Sequence, residues 1–390
     1  MKTNLEQGKL TLILEGRIDS ANANEREAEI FDALNSNDHN CLVLDMDSLE
    51  YISSAGLRVI LRIKKAEPKV QIINVNTDVY EIFDMTGFTE MMDIKKAYKK
   101  YSIEGCEEIG HGANGKVYRI NADTIIKVYK HPDSLDDIKN ERALAKKAFV
   151  AGIPTAISYD IARVWDSYGT VFELLDAKSL ANLLKENPQD VDKYVDIYVD
   201  LLKKIHATVD EAGDMVDMKQ VALSWAVFDK EYLPEDVATK LISLIKAVPN
   251  DNHMLHGDYH IKNVLMQNGE ALLIDMDTLC VGHPIFELGS MFNAYKGFSA
   301  LDPKVSEEFL GIPHQLGEEF WRKSLAKYLG TNDQAKLDEV EDKAKVIGFT
   351  RLLRRLIRRG GQDAELSHAN IELYIKEISR IVPTIDSLKI

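Results

Sequence analysis

Residues 256–278 read HGDYHIKNVLMQNGEALLIDMDT and set four acids, histidine, asparagine and lysine around two short apolar runs. Asp258 and Asn263 stand five positions apart on a loop that enters VLM, and Asp275 ends the run ALLI. The set suits transfer of a γ-phosphoryl group. That reaction asks for a carboxylate to orient and deprotonate an acceptor hydroxyl, and for oxygen ligands to a Mg2+ ion that screens the phosphates. Asp258 fits the first task. Asn263 and Asp275 fit the second, with Asp277 as a further ligand or an outer contact.

A phosphate chain also needs a cradle, and IGHGANGKVYRI supplies Gly110, Gly112 and Gly115 as G-x-G-x-x-G between two apolar runs. Such glycines let backbone N–H groups approach phosphate, although the same spacing makes an ordinary hairpin. TIIKVYK then places Lys127 among apolar neighbours, where a cation is costly to bury without an anion. Glu141, in the helical pattern DDIKNERALAKKAFVAG, is positioned to pair with Lys127 and hold it toward a nucleotide. Taken singly, each is as readily a solvated surface charge. Order separates the readings: glycine loop, strand lysine, helix glutamate, H-G-D-x-x-x-x-N and I-D-x-D together are far more specific than any one member.

The elements that must position this set are constrained first by length. At 390 residues and 45% apolar content the chain exceeds one small core, so two or more domains are expected. The first hundred positions alternate β-rich runs at 10–14, 41–45 and 70–75 with helical patterns near 21–34, 55–65 and 77–85. This α/β rhythm predicts crossovers and a partly parallel sheet. After KKAYKKY the pattern changes: 103–175 hold strand-like runs around one helix, and 178–390 are mostly helical. A net charge of -15 argues against general binding to nucleic acid or anionic membrane. No run approaches the roughly 18 apolar residues of a spanning helix, and MKTNLEQGKL lacks a signal-peptide core, so a cytoplasmic location is expected. Cys41, Cys106 and Cys280 lie far apart without metal-ligand spacing and are expected to be reduced and mostly buried.

HGDYHIKN resembles the catalytic loop of the aminoglycoside phosphotransferase and choline kinase group in the protein-kinase-like superfamily, and the resemblance extends from 103 to about 300. That group has H-G-D where protein kinases have H-R-D, and His260 falls where its small-molecule kinases commonly carry histidine. I-D-M-D likewise differs from D-F-G. Only a short run separates Asp275 from PIFELGSMFNAY, leaving little room for a long peptide-docking segment, which favours a small-molecule acceptor. The resemblance implies ATP and Mg2+, with the acceptor pocket built by helices from 190 onward. It also puts Glu173 and Leu175, in VFELLDAKSL, on the hinge whose backbone binds adenine. Read from side chains, that stretch is an apolar strand ending at a helix cap, and core packing serves equally. Glu287 stands where the family often has aspartate at a helix start, implying an acidic support.

In LDMDSLEYISSAGLRVILRIKK, Ser53 and Ser54 lie between a strand and an apolar-faced helix. Either hydroxyl can cap the helix. A helix N-terminus also stabilises added negative charge, so a phosphoserine fits there too. Residues 3–95 resemble the STAS domain of anti-sigma-factor antagonists through LEGRID, LDMDSLEYISSAGLRVIL and FDMTGFTEMM. Aligned on Gly56, the phosphorylated serine of those proteins corresponds to Ser54, with Ser53 replacing the usual aspartate and Ala55 at the next position. A protein partner for this domain is implied. The expected architecture is therefore an α/β STAS domain (1–100) followed by a two-lobed α+β protein-kinase-like domain with a mostly helical C-lobe. The expected lobes are 101–175 and 176–390.

Two other features have ordinary readings. RLLRRLIRRGG, with Arg351, Arg354, Arg355, Arg358 and Arg359, reads as a solvated helix face, or else as a contact for the acidic remainder of the chain. His206, in LLKKIHAT, reads as a helix residue packed between lobes, with no catalytic role. Three functions follow: a small-molecule phosphotransferase with a STAS regulatory module, a nucleotide- or ligand-sensing regulator signalling through that module, or a kinase that phosphorylates Ser54 of its own STAS domain.

Overall fold

The computed structural model describes every residue except 7, 112–114, 132–133, 176 and 361–364. It divides into two compact units, residues 1–105 with 161–169 and residues 106–160 with 170–390.

In the first unit, β1 (Lys2–Glu6), β2 (Lys9–Ile18), β3 (Cys41–Ile52), β4 (Gln71–Val75) and β5 (Asp93–Lys96) form a sheet in that order. β1 and β2 are antiparallel and the other neighbours parallel. Parallel neighbours need crossovers, and α1 (Ala23–Ser36), α2 (Ser54–Ala66) and α3 (Thr77–Met85) supply them, with the short α4 (Phe88–Met91) leading into β5. Leu10, Leu12 and Leu14 enter the core at every second position of β2, and Leu57, Ile60 and Ile63 enter it from one face of α2. β6 (Lys99–Lys100) pairs in parallel with Ala162–Arg163. The partly parallel sheet and its three crossover helices agree with the spacing of the apolar runs.

The second unit opens with strands and closes with helices, as expected. β7 (Glu107–His111), β8 (Gly115–Arg119) and β9 (Thr124–Tyr129) are antiparallel. After α5 (Leu135–Val150) come β10 (Ser158–Val164) and β11 (Ser167–Glu173), of which residues 161–169 belong to the first unit. β12 (Lys178–Ser179) then precedes four helices: α6 (Leu180–Glu186), α7 (Val191–His206), α8 (Met218–Asp229) and α9 (Glu235–Ala247). Short strands interrupt them, with β13 (Met254–Leu255) paired to β16 (Cys280–Val281) and β14 (Val264–Gln267) forming a hairpin with β15 (Glu270–Leu273). The chain ends in α10 (Ile285–Phe292), α11 (Pro303–Leu310), α12 (His314–Leu329), α13 (Gln334–Arg358) and α14 (Glu365–Ile381).

Aromatic rings dominate the helical core. Tyr198 meets Phe320 at 5.1 Å between centroids, and Tyr295 stacks on Phe320 at 5.8 Å. α10 and α13 approach closely because Gly289 and Gly348 face each other: a Cβ on Gly348 would lie 2.8 Å from the Gly289 carbonyl oxygen. That contact brings the arginine end of α13 close to the functional loop. Of the cysteines, only Cys280 is buried; Cys41 and Cys106 are half-buried. The expectation of mostly buried thiols fails because Cys41 heads β3 ahead of the buried Leu42, and Cys106 lies in the link before β7. No described helix is long and apolar enough to cross a membrane.

One buried group works against stability. Asp229, at the end of α8, is fully buried, and neither carboxylate oxygen has a hydrogen-bond partner. Burial pushes its carboxyl from 3.8 up to about 8, against the pull of Arg354. The folded chain keeps a proton there that the unfolded chain releases, so stability should fall by about 1 kcal/mol per pH unit between about pH 4 and 8. Asp229→Asn should flatten this slope in urea titrations across that range. An unchanged slope would assign it to another group.

Candidate functional site

The loop after β13 carries Asp258 and is held almost entirely through its own backbone. The N–H groups of His256 (2.5 Å) and Gly257 (3.1 Å) donate to the buried Glu287 carboxylate on α10. The Gly257 carbonyl accepts from the Ser290 hydroxyl (2.9 Å) and from the Arg351 guanidinium (3.1 Å), and the His256 carbonyl accepts from the Thr278 hydroxyl (2.8 Å). The Tyr259 and Tyr198 hydroxyls each donate to the other's carbonyl, at 2.7 and 3.0 Å. Tyr295 accepts from the Ile261 N–H at 3.3 Å. Gly257 is required at φ +81°, where a Cβ would lie 2.4 Å from the Thr278 carbonyl oxygen.

His256 ties this loop to the strand end. Its Nδ1 accepts from the Asp258 N–H, so Nε2 carries the proton and donates to the Ile274 carbonyl at 3.2 Å. Asp258 itself has His260 Nε2 at 3.6 Å from Oδ2. Burial works to raise its carboxyl, but the nearby His260, with Arg351 and His256, holds it down at about 2. Asp258 is thus ionised at neutral pH.

Lys127 on β9 donates to Asp275 Oδ1 at 2.6 Å and to Glu141 Oε1 at 3.0 Å. Burial would lower its pKa, but the two carboxylates outweigh it and hold the ammonium charged, above its ordinary range. Tyr129 donates to the other oxygen of Glu141, which is itself buried on α5. Asp275 sits in the left-handed region at φ +65°, a conformation that costs a non-glycine residue about 1–3 kcal/mol and that recurs at functional sites. Asp277 follows in the next turn, where burial, Asp275 and Glu141 push its carboxyl up to about 7. The Asn263 side-chain amide donates to the Asp258 carbonyl at 3.0 Å, leaving its oxygen as the group open to a ligand. Among the described residues no cluster of three or more His, Cys, Asp or Glu side chains is arranged around a metal-sized point. Asn263, Asp275 and Asp277 nevertheless line one cavity.

That cavity, about 670 Å³, lies within the second unit and is also lined by Gly110, Gly115, Lys127, Glu173, Leu175 and Asp258. Gly115 permits close strand pairing, since its Cβ would lie 2.2 Å from the Val128 carbonyl oxygen, whereas Gly110 has ordinary space around it. Gly112 lies outside the described residues. The Leu174 N–H already donates to Asp123 O, so a base entering here would meet the backbone of Glu173 and Leu175 on either side.

Other groups differ from the sequence reading. Arg351 is no solvated surface charge: it bonds Gly257 and Ser290 and lies over the Trp225 ring at 5.7 Å. Its signal was the i, i+4 spacing of Arg351 and Arg355 on a helix with an apolar face, visible in the sequence but pointing nowhere until α13 was placed. His206 lies inside the helical region, not between lobes, because α7 ends against α12. It meets the Tyr328 hydroxyl at 2.8 Å and Glu287 at 3.9 Å. Burial would raise the Glu287 carboxyl, but His206, His256 and the Gly257 N–H keep it below the usual range. In the first unit, Ser53 caps α2 by accepting from the Ala55 and Gly56 N–H groups, which leaves Ser54 exposed as the first helical residue.

Residues 105–328 match the family model described as the phosphotransferase enzyme family, and residues 2–101 match the STAS domain. A protein named as an anti-sigma factor antagonist, BtrV of Bordetella bronchiseptica, is 35% identical over 100 residues, covering 24% of this chain and 85% of that protein. Among solved structures, the GDP and kanamycin complex of APH(2")-IIia superposes with a TM-score of 0.50 at 15% identity, covering 77% of this chain and 98% of that one, a likeness of fold. A choline/ethanolamine kinase family protein from Mesorhizobium loti gives 0.46 at 15% identity, covering 71% and 87%.

If Glu287 carries the loop, Glu287→Ala should strand two buried N–H donors and cost about 2–4 kcal/mol in urea unfolding. Glu287→Gln, which keeps one acceptor oxygen, should cost about half as much. Equal and small losses for both would show that the loop is held by its other anchors.

Proposed function

The chain belongs to the phosphotransferase enzyme family, and we propose that it transfers the γ-phosphoryl group of ATP, with Mg2+, to a hydroxyl of a small molecule. The STAS module regulates this activity. One observation carries the reading: Lys127 joins Glu141 to Asp275 on the wall of a cavity that also holds Asp258, Asn263 and Asp277. The oxygen donors of Asn263, Asp275 and Asp277 fit a hard divalent cation, and burial with the neighbouring Asp275 and Glu141 raises the carboxyl of Asp277, which a bound cation would counter. When bound, Mg2+ neutralises charge on the phosphate oxygens.

The chain's own groups account for the remaining tasks. Lys127, kept charged and aimed by two carboxylates, holds phosphate oxygens. Backbone groups at Glu173 and Leu175 take the adenine. Asp258 accepts a hydrogen bond from the acceptor hydroxyl and orients its oxygen toward the γ-phosphorus. As the new O–P bond forms and the bond to the β-phosphate oxygen breaks, the hydroxyl proton passes to Asp258 and ADP leaves. A carboxyl near pKa 2 is a weak base, so orientation dominates and the proton moves late, in keeping with a loose transition state.

A second reading, self-phosphorylation at Ser54, has one observation in its favour: Ser53 does the capping, so the Ser54 hydroxyl is exposed at the N-terminus of α2. Intact-mass measurement after incubation with ATP and Mg2+ tests it, and no added phosphate under conditions where ATP binds would reject it. The sensing reading rests on the fusion itself and yields to saturable phosphorylation of any acceptor.

Asp258→Asn should leave calorimetric nucleotide binding intact while lowering turnover about 100- to 10,000-fold. Unaltered turnover in the purified variant would reject Asp258 as the group facing the hydroxyl.

A further inference from the structure

Beside Asp258 runs a strip of rings and cations that the phosphotransferase reading leaves unused. His260, 3.6 Å from Asp258, packs edge-on against Phe309 at 4.9 Å, and Phe309 packs edge-on against Phe298 at 5.2 Å. Lys262 Nζ stands over Phe309 at 5.7 Å, and the Arg355 guanidinium stands over Phe298 at 5.9 Å. Lys262, Phe309 and His260 line the same cavity as Asp258. Both cations are exposed.

The strip is basic within an acidic chain, in which acids outnumber bases 63 to 48. Among the described residues, however, no carboxylate lies within ion-pair distance of Lys262, Arg354, Arg355, Arg358 or Arg359. Although the Arg355 residue is exposed as a whole, its guanidinium is partly shielded from water, and that shielding with the like charges of Arg359 and Arg351 lowers its pKa, while Asp258 acts in the other direction. Both cations are held over a ring pair that leads, through His260, to Asp258. Uncompensated positive charge at the rim of a cleft concentrates anions and repels polyamines. An arginine guanidinium and a lysine ammonium together match phosphate or carboxylate oxygens.

We propose that the hydroxyl acceptor is itself anionic: a small alcohol bearing a phosphate or carboxylate, held by Lys262 and Arg355 beside the Phe298–Phe309 pair while its hydroxyl reaches Asp258. This deepens the phosphotransferase reading and rests on it.

The test measures ATP consumption by the full chain with matched alcohols: glycerol against glycerol 3-phosphate, ribose against ribose 5-phosphate, glycerol against glycerate, with kanamycin as the cationic arm. An anionic member should exceed its neutral counterpart by about 10-fold or more in kcat/KM. The phosphate and carboxylate arms separate the two anion sources. Arg355→Glu should lower kcat/KM for the anionic acceptor about 10- to 100-fold, mainly through its KM, with the KM for ATP unchanged within about twofold. Lys262→Glu should do the same, and Lys262→Arg should retain activity. A neutral or cationic acceptor used as well as the anionic one, or a preference that survives Arg355→Glu, overturns the proposal. If no member is turned over, calorimetry of the ADP-saturated chain with glycerol 3-phosphate and with glycerate decides: uptake abolished by Arg355→Glu supports the site, and no uptake of either overturns it. Failure to bind ADP counts instead against the phosphotransferase reading, and the same titrations without nucleotide then decide the anion site.

Discussion

A single buried carboxylate, Glu287, underlies the geometry of the site. Taking that charge out of water costs several kcal/mol unless hydrogen bonds and an opposite charge replace the lost hydration. Here the N–H groups of His256 and Gly257 and the nearby His206 do so. The consequence is mechanical. A loop that cannot use strand or helix hydrogen bonds has its backbone fixed from below, so Asp258 and Asn263 project from a rigid base. Ser290 and Arg351 hold the carbonyl of the same glycine, and Thr278 holds its neighbour, so the turn bearing Asp275 and Asp277 moves with the loop.

Above that base the site is governed by charge. Five carboxylate residues, Glu141, Glu173, Asp258, Asp275 and Asp277, line one cavity together with Lys127. Lys127 relieves part of the repulsion by bridging Glu141 and Asp275, while burial together with Asp275 and Glu141 raises the carboxyl of Asp277. Sites built this way favour cations and the phosphates that cations carry. On the acceptor side the sign reverses, with Lys262 and Arg355 held over aromatic rings. Clustered carboxylates on one side of Asp258 and cations over rings on the other thus give the cavity region two faces of opposite sign.

The first unit reaches its function through a different constraint. Ser53 and Ser54 are adjacent and chemically alike, but only one can occupy the capping position. Once the Ser53 hydroxyl accepts from the first free N–H groups of α2, Ser54 becomes a helical residue with an exposed hydroxyl beside a positive helix end. Its fold, a parallel-rich sheet with crossover helices, matches the STAS domain over residues 2–101.

What could be read from the chain alone was whatever depends on local order. Period-two leucines in LTLIL, helical spacing in AGLRVILRIKK, and the succession of glycine loop, strand lysine, helix glutamate and acidic loop are properties of neighbours along the sequence, and they sufficed for two fold classes and singled out Asp258, Asn263, Asp275, Lys127 and Glu141, which the fold gathers in the lining of one cavity. Arg351, Tyr259, Ser290 and the Phe298–Phe309 strip were illegible because their contacts join segments tens of residues apart, and nothing in a local pattern says which face of α13 meets the loop. The same holds for His206 and the buried Asp229, whose environments are set by α12 and α13. Sequence thus determined which groups the chemistry can draw on, since that follows from residue type and short-range spacing. Only tertiary packing decided which backbone atoms are pinned, which charges are paired and what stands beside Asp258, because those are properties of distances the chain closes when it folds.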